Sequence, residues 1–166
     1  MTLLDAPAFD EVRYRRNQTI LFTGLGLVVV LFIGSWFASG MPVDWPWNWW
    51  THFRGRMTVN HFLTAVEQNN LQKAYGIWTH DPEWQQHPAQ FKAYPFKSFQ
   101  EDWSPSSPQN TYGVIRSHKI VAARIAGNVL LMGIRINGLK SNALFLNYDP
   151  KTHQLGFSPV QLYLGP

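Results

Sequence analysis

The sequence predicts an α+β protein, in which an N-terminal transmembrane helix precedes about three helices packed on a four-stranded antiparallel curled sheet. Three observations lead to this prediction. A long apolar stretch lies near the N-terminus, the middle of the chain repeats apolar residues at helical spacing, and from Thr111 onward the repeat changes to two residues. Helices that all precede the strands are typical of the α+β class.

Composition narrows the possible classes before any motif is considered. The chain has 166 residues, about one average domain, and only 14% of them are charged, against about 25% in an ordinary soluble domain. The net charge of +4 is too small to indicate a nucleic-acid partner. Cysteine is absent, which excludes disulfides and thiolate metal sites, and the aromatic content of 15% excludes a disordered polar chain.

The charge deficit is concentrated in one segment, because no ionisable side chain occurs between Arg16 and Asp44. The 19 residues from Ile20 to Ala38 would span ~28 Å as a helix, close to the thickness of the hydrocarbon core. We therefore expect a transmembrane helix at 19–39. A cleaved signal peptide is the alternative, and it is less favoured because signal cores are usually only ~7–15 residues long.

The orientation follows from the basic residues beside this span. Arg13, Arg15 and Arg16 lie immediately before it, whereas the next basic residue, Arg54, comes well after it. The positive-inside rule then places residues 1–18 in the cytoplasm, as a tail without stable order unless a partner holds it. The expected location is the cell (inner) membrane, with the rest of the chain outside the cytoplasm and membrane lipid as one partner.

A tryptophan- and proline-rich linker is predicted at 40–56. Tryptophan rings suit the headgroup layer of a membrane or a partner subunit, because each has an apolar body and a polar N–H. The candidate interface or partner contacts are Trp36, Trp45, Trp47, Trp49 and Trp50.

The remaining domain, 57–166, is predicted to begin with three helices. Thr58 and Asn70 are the expected N-caps of the first two, and Pro95 is the expected first residue of the third. Apolar side chains at helical spacing define their buried faces: Val59, Phe62, Leu63, Val66, Leu71, Ala74, Tyr75, Trp78, Phe96, Phe99 and Trp103.

Four strands are predicted after these helices, at about 111–125, 129–137, 143–149 and 154–163. They are joined by short turns, which favours an antiparallel meander. The alternation places apolar side chains on one face, among them Ile115, Val121, Ala123, Ile125, Leu130, Met132, Ile134, Ile136, Leu144, Leu146 and Tyr148.

The segment VNHFLTAVEQNNLQKAYGIW resembles the opening helix pair of nuclear transport factor two-like domains, the cystatin-like cone superfamily. The segments GVIRSHKIVAARIAG, VLLMGIRING, ALFLNYDP and LGFSPVQLYL resemble its curled sheet. The resemblance covers about residues 57–166 and implies a cone that binds proteins or small molecules, or that is catalytic in a minority. Single-pass forms resemble the inner-membrane assembly component of type IV secretion systems and membrane-anchored assembly factors of respiratory oxidases.

Chemistry-bearing residues are present, but they form no recognisable motif. Of the six histidines, only His80 and His87 with Asp81 suggest a metal site, and the geometry for three ligands is not evident. Related cones imply a carboxylate, a tyrosine and a histidine in the cavity, for which Asp81, Asp102, Tyr75 and His118 are the candidates. Four aromatic residues are candidates for lining a ligand cavity, although their helical spacing favours a core position: Tyr75, Trp78, Phe99 and Trp103.

The sequence therefore predicts a membrane-anchored, non-catalytic accessory or assembly subunit that contacts other membrane-protein subunits. No cofactor, metal or nucleic acid is expected. The alternative is a membrane-anchored cone that binds a small molecule or acts like an isomerase. A polar-lined cavity would favour that alternative, whereas an interior filled by phenylalanine and tryptophan would favour the accessory subunit.

Overall fold

The computed structural model describes residues 10–139 and 143–162 and divides the chain into two compact units, with the boundary after Ala38. Three parts of the predictions lie outside the described residues: the first nine residues of the expected tail, the end of the loop before the third strand, and the fourth strand from 163 onward.

The first unit contains helix α1, Glu11–Ala38, which is long and apolar enough to cross a membrane. The apolar N-terminal helix is thus confirmed, but it starts at Glu11 rather than at 19. The Asp10 carboxylate accepts the backbone N–H of Arg13 at 3.0 Å, and Glu11 pairs with Arg15 at 2.6 Å one turn later. These local contacts stabilise a helical start, so residues 11–18 are helical and not the irregular tail that we expected.

The second unit has the predicted α+β order of elements. Its helices are α2 (Trp49–Glu67), α3 (Leu71–Thr79) and α4 (Phe96–Trp103), with short 3₁₀ turns at Pro46–Asn48, Trp84–Gln86 and Pro88–Phe91. The strands β1 (His118–Ala126), β2 (Val129–Ile136), β3 (Ala143–Tyr148) and β4 (Leu155–Phe157) form one antiparallel sheet in chain order. The sheet is curled and unclosed, and the helices cover one of its faces.

Helix α2 begins at Trp49, nine residues before Thr58, so the prediction that Thr58 is its N-cap is wrong. The buried face of the helix continues back from Val59 through Gly55 and His52. Neither residue is a strong apolar marker, and Gly55 in particular resembles a helix breaker in the sequence. The last eight residues of the expected linker, 49–56, are therefore part of helix α2.

Strand β1 is shorter than expected and contains an irregularity. Ile120 pairs with Ile134 and Ala122 with Gly133, so Val121 is left unpaired between them. This β-bulge shifts the alternation. As a result Ile120, rather than the predicted Val121, packs against the core.

The other predicted buried faces are confirmed. Leu130, Met132, Ile134 and Ile136 of β2 are fully buried against the apolar faces of α2 and α3. Strand β4 ends at Phe157, because the chain turns at Ser158, whose hydroxyl donates to the Val160 carbonyl at 2.7 Å and accepts the Val160 backbone N–H at 3.1 Å. Helix α4 starts one residue after Pro95, which occupies the N-cap position.

Candidate functional site

The most prominent exposed feature of the second unit is residues 41–50, which we call the tryptophan segment. Five of its apolar residues expose more than half of their surface: Met41, Val43, Trp45, Trp47 and Trp50. Single exposed apolar residues are common on proteins, but a dense group of large ones marks an interaction surface.

Asp44 fixes the conformation of this segment. Its Oδ1 accepts the backbone N–H of Trp45 and the side-chain N–H of Asn48, both at 2.8 Å, while its backbone carbonyl accepts Nε1–H of Trp49 at 3.1 Å. Burial alone would raise the pKa of Asp44, but the hydrogen bonds from Asn48, Trp45 and His52 lower it below its ordinary value. The exposed rings are therefore carried by a hydrogen-bonded turn and not by a random spacer.

The exposed rings form an ordered surface. Trp45 and Trp47 stack with their ring centroids 5.0 Å apart and their planes 3° from parallel. Trp50 stacks on Phe53, and the guanidinium of Arg54 lies 5.4 Å from the Trp50 ring centroid. Apolar rings beside a cation are the combination found where side chains meet the membrane–water interface.

Two of the five tryptophans that were predicted to contact lipid or a partner do not belong to this exposed surface. Trp49 is only 8% exposed, because it lies on the buried face of α2, and its inclusion among the contact residues was wrong. Trp36 belongs to the last turns of α1, where its ring meets Phe37 edge-on at 5.3 Å. The exposed aromatic surface is thus formed by Trp45, Trp47 and Trp50.

The predicted topology-setting residues lie together at the start of α1. Arg13, Arg15 and Arg16 are all exposed, and Arg15 is the one paired with Glu11. No acidic residue occurs between Glu11 and Asp44, so the positive charge at this end of the helix is only partly compensated.

The interior of the domain is filled with aromatic rings. Three of the four candidate pocket residues, Tyr75, Phe99 and Trp103, are no more than 1% exposed. The Phe62 ring meets that of Trp103 at 4.9 Å and that of Trp78 at 5.3 Å. The candidate residues at helical spacing therefore form core, as their periodicity favoured.

An open groove of about 550 Å³ lies beside this core, and Trp78 is the only predicted pocket residue that lines it. Its other walls come from the loop before α4 and from β4, including Phe91, Tyr94 and Phe157. Burial and a 2.6 Å hydrogen bond to Asp102 raise the pKa of the Tyr94 hydroxyl.

Most of the candidate catalytic and metal-binding residues are hydrogen-bonded, and two of them, Asp81 and His87, bond to each other. Asp81 bonds to His87 at 2.9 Å and His118 to Glu67 at 2.7 Å, while the Tyr75 hydroxyl donates to the Tyr94 carbonyl at 2.7 Å. Within the described parts of the chain, no group of three or more histidine and acidic residues is placed to hold a metal ion.

Sequence reasoning missed the role of Asp44 and the exposure of Met41 and Val43. The spacing of Asp44, Asn48 and His52 was a partial indication in the sequence. An aspartate four residues before an asparagine and eight before a histidine can bond to both in a turn that leads into a helix. No family model, curated protein or solved structure matches this chain.

Proposed function

We propose that this protein is a single-pass membrane protein that acts as a non-catalytic accessory or assembly subunit of a membrane protein complex. Helix α1 spans the cell (inner) membrane, with Arg13, Arg15 and Arg16 on the cytoplasmic side and the α+β domain outside the cytoplasm. The observation that carries the proposal is the exposed tryptophan segment, which starts three residues after α1 ends.

The position of the segment supports contact with lipid and with a neighbouring subunit. A tryptophan buries about 150–250 Å² when it is covered. Leaving three such rings in water is therefore unfavourable in free energy, and covering them would be favourable. Rings seated at the headgroup layer would fix the orientation of the domain, and those left uncovered would be available to another membrane protein.

The filled interior supports a non-catalytic role. An active site in a cone needs a cavity into which an acid or base projects. Here Tyr75 and Trp103 occupy the interior, and the Tyr75 hydroxyl already has a backbone acceptor.

The test replaces Trp45, Trp47 and Trp50 by serine in the full chain and leaves the buried Trp49 intact. The matched control replaces Val114 and Leu139, two other exposed apolar residues, by serine. In vesicles that contain brominated lipid, the fluorescence lost on quenching should fall sharply in the tryptophan variant and stay unchanged in the control.

The same variants test the role as a subunit. Proteins that co-purify with the wild-type chain in mild detergent should be retained by the control and lost or reduced with the tryptophan variant. Retention of every partner together with unquenched tryptophan fluorescence would show that the segment is only a spacer.

The second candidate function is small-molecule binding in the groove beside Trp78, because this groove combines aromatic walls with Gln90 and Gln154. Replacing Phe157 by alanine should then weaken the response of an apolar ligand in a thermal-shift screen. Absence of any ligand that stabilises the wild-type protein in such a screen would argue against this candidate.

A further inference from the structure

A second cavity, separate from the groove, lies within the α+β unit. It has a volume of about 540 Å³ and is lined by residues 40–44, by His52 and Arg56 of α2, and by residues 121–125 of β1. We call it the Arg56 pocket. His52 and Arg56 are one helical turn apart and therefore share a face of α2.

Arg56 brings a positive charge into this pocket, and none of the acidic residues in the described parts of the chain forms an ion pair with it. The residue is half-buried, and its Nε lies out of solvent with no hydrogen-bond acceptor among the described residues. Its guanidinium lies against Gly40, where a Cβ would come within 2.6 Å of both Cζ and Nε. Gly40 also has a φ of +85°, a conformation that favours glycine. The absence of a side chain at this position allows the guanidinium to approach the backbone.

The carboxylate in the same pocket, that of Asp44, already has hydrogen-bond partners. Asp44 accepts hydrogen bonds from Trp45 and Asn48, and its Oδ2 lies 3.3 Å from Nε2 of His52. His52 is 1% exposed, and its Nδ1 has no partner among the described residues. A buried polar group without a partner costs free energy, so such a group indicates a missing water or ligand.

Arg124 adds a second positive charge from β1. It lines the pocket and is exposed. Two guanidinium groups against one engaged carboxylate leave the pocket with an excess of positive charge, and guanidinium groups match the geometry of phosphate oxygens.

We propose that the Arg56 pocket binds the phosphodiester headgroup of an anionic phospholipid. The argument for a lipid is chain connectivity, because Gly40 follows the last residue of α1 by only two positions. At most ~3.6 Å of chain per residue keeps this wall of the pocket close to the end of the span. The inference rests on the membrane anchoring proposed above and adds the chemical class of the lipid.

The experiment uses the full chain in detergent micelles, with native mass spectrometry to count retained lipid. Phosphatidylglycerol is the probe, and phosphatidylcholine, which carries no net charge, is the comparison lipid. We expect one phosphatidylglycerol to be retained in preference to phosphatidylcholine, with affinity reduced about tenfold by Arg56→Gln, as for loss of one charge-assisted hydrogen bond.

Two further variants keep the test decisive. Arg116→Gln removes an exposed arginine that does not line the pocket and should leave lipid binding unchanged. Arg124→Gln should also weaken lipid binding. Because Arg124 is exposed, this variant can replace Arg56→Gln in the test if Arg56→Gln fails to fold. Equal binding by wild type, Arg56→Gln and Arg124→Gln would overturn the inference.

Competition by inorganic phosphate separates a lipid from a soluble ligand. Displacement of phosphatidylglycerol by phosphate at equal concentration would overturn the lipid assignment, whereas retention supports it. Extraction of wild-type membranes with alkaline carbonate tests the anchoring itself. Release of the chain would refute anchoring, whereas a retained chain without preferential phosphatidylglycerol binding would refute only this inference.

Discussion

Gly55 explains how closely helix α2 can approach the sheet. A Cβ at this position would come within 2.6 Å of a methyl carbon of Leu130 and 3.0 Å of the Tyr148 ring. Leu130 is fully buried and Tyr148 is 2% exposed, so neither can move aside into solvent. A residue that resembles a helix breaker is therefore a contact point between α2 and strands β2 and β3.

Replacing Gly55 by alanine should destabilise the protein despite the better helix propensity of alanine. The propensity gain is at most about 1 kcal/mol, whereas overpacking a close contact typically costs about 1–3 kcal/mol. Chemical denaturation of the full chain in detergent measures the net effect. A stabilised variant would mean that α2 lies farther from the sheet than the structure shows.

The buried His52 should make the free energy of unfolding depend on pH. Burial lowers its pKa below 6.5, and the neighbouring Arg56 acts in the same direction, although the hydrogen bond to Asp44 opposes them. The folded state therefore binds this proton less readily than the unfolded state. The stability that depends on neutral His52 is complete above about pH 6.5 and is lost as the pH falls below that value.

The measurement is the free energy of unfolding between pH 7.5 and pH 5, approximate limits that bracket the ordinary histidine pKa. His52→Gln should show a shallower decline than wild type on acidification. His61→Gln, at an exposed position of the same helix, is the matched control and should change the slope less. Identical slopes for wild type and His52→Gln would contradict the prediction.

At the scale of elements, polar side chains attach the sheet to the rest of the domain. Strand β1 is joined to α2 through His118, whose Nδ1 lies 2.7 Å from Oε1 of Glu67 and whose Nε2 lies 3.2 Å from Oδ1 of Asn60. The β2–β3 turn is joined to the segment before β1 through Asn137. Periodicity cannot reveal such contacts, because each one links residues far apart in sequence.

Asn137 provides a direct test of this attachment. Its Oδ1 accepts the backbone N–H groups of Arg116 at 2.8 Å and Ser117 at 3.2 Å, and its Nδ2 donates to the Val114 carbonyl at 2.8 Å. Asn137→Gly keeps the positive φ of 53° accessible but removes these bonds. We expect a loss of about 1–3 kcal/mol.

Hydrogen exchange checks the cause of that loss. The amides of Arg116 and Ser117 should exchange faster in Asn137→Gly, while Asn137→Ala should be less stable still because alanine is strained at this φ. Unchanged exchange at both amides would show that the asparagine acts only as a turn residue.

At the scale of the whole molecule, the chain combines an apolar helix with a folded domain that begins immediately after it. The second unit starts at Ser39, so the expected linker belongs to the domain. The direct continuation from helix to domain leaves only residues 39–48 between α1 and α2. The tryptophan segment fills nearly all of this connection.

The orientation of the chain across the membrane can be tested with fusion proteins. Because Arg13, Arg15 and Arg16 precede the apolar stretch, an alkaline phosphatase fused to the C-terminus should be active, and a fluorescent protein that folds only in the cytosol should be dark there. Replacing the three arginines by glutamine should reduce phosphatase activity. The reverse pattern in the wild-type fusion would refute the proposed orientation.

The α+β class of the fold and the apolar N-terminal helix could both be predicted from the sequence. A 19-residue stretch without charge, a helical repeat through Phe62 and Trp78, and alternation from Leu130 to Ile136 each depend on local periodicity. Periodicity is a property of neighbouring residues, so it can be obtained without knowing the tertiary contacts. The same reasoning correctly placed Tyr75, Phe99 and Trp103 in a core position.

Three features could not be predicted without the folded structure: the start of α2, the exposure of each tryptophan, and the surroundings of Arg56. Trp49 and Trp50 are adjacent in sequence, yet the first is buried and the second exposed, because the helix turns about 100° per residue. Gly55 is accommodated in α2 because Leu130 and Tyr148 of the sheet occupy the space that a side chain would fill. Such contacts depend on distant parts of the chain and leave no local pattern to recognise.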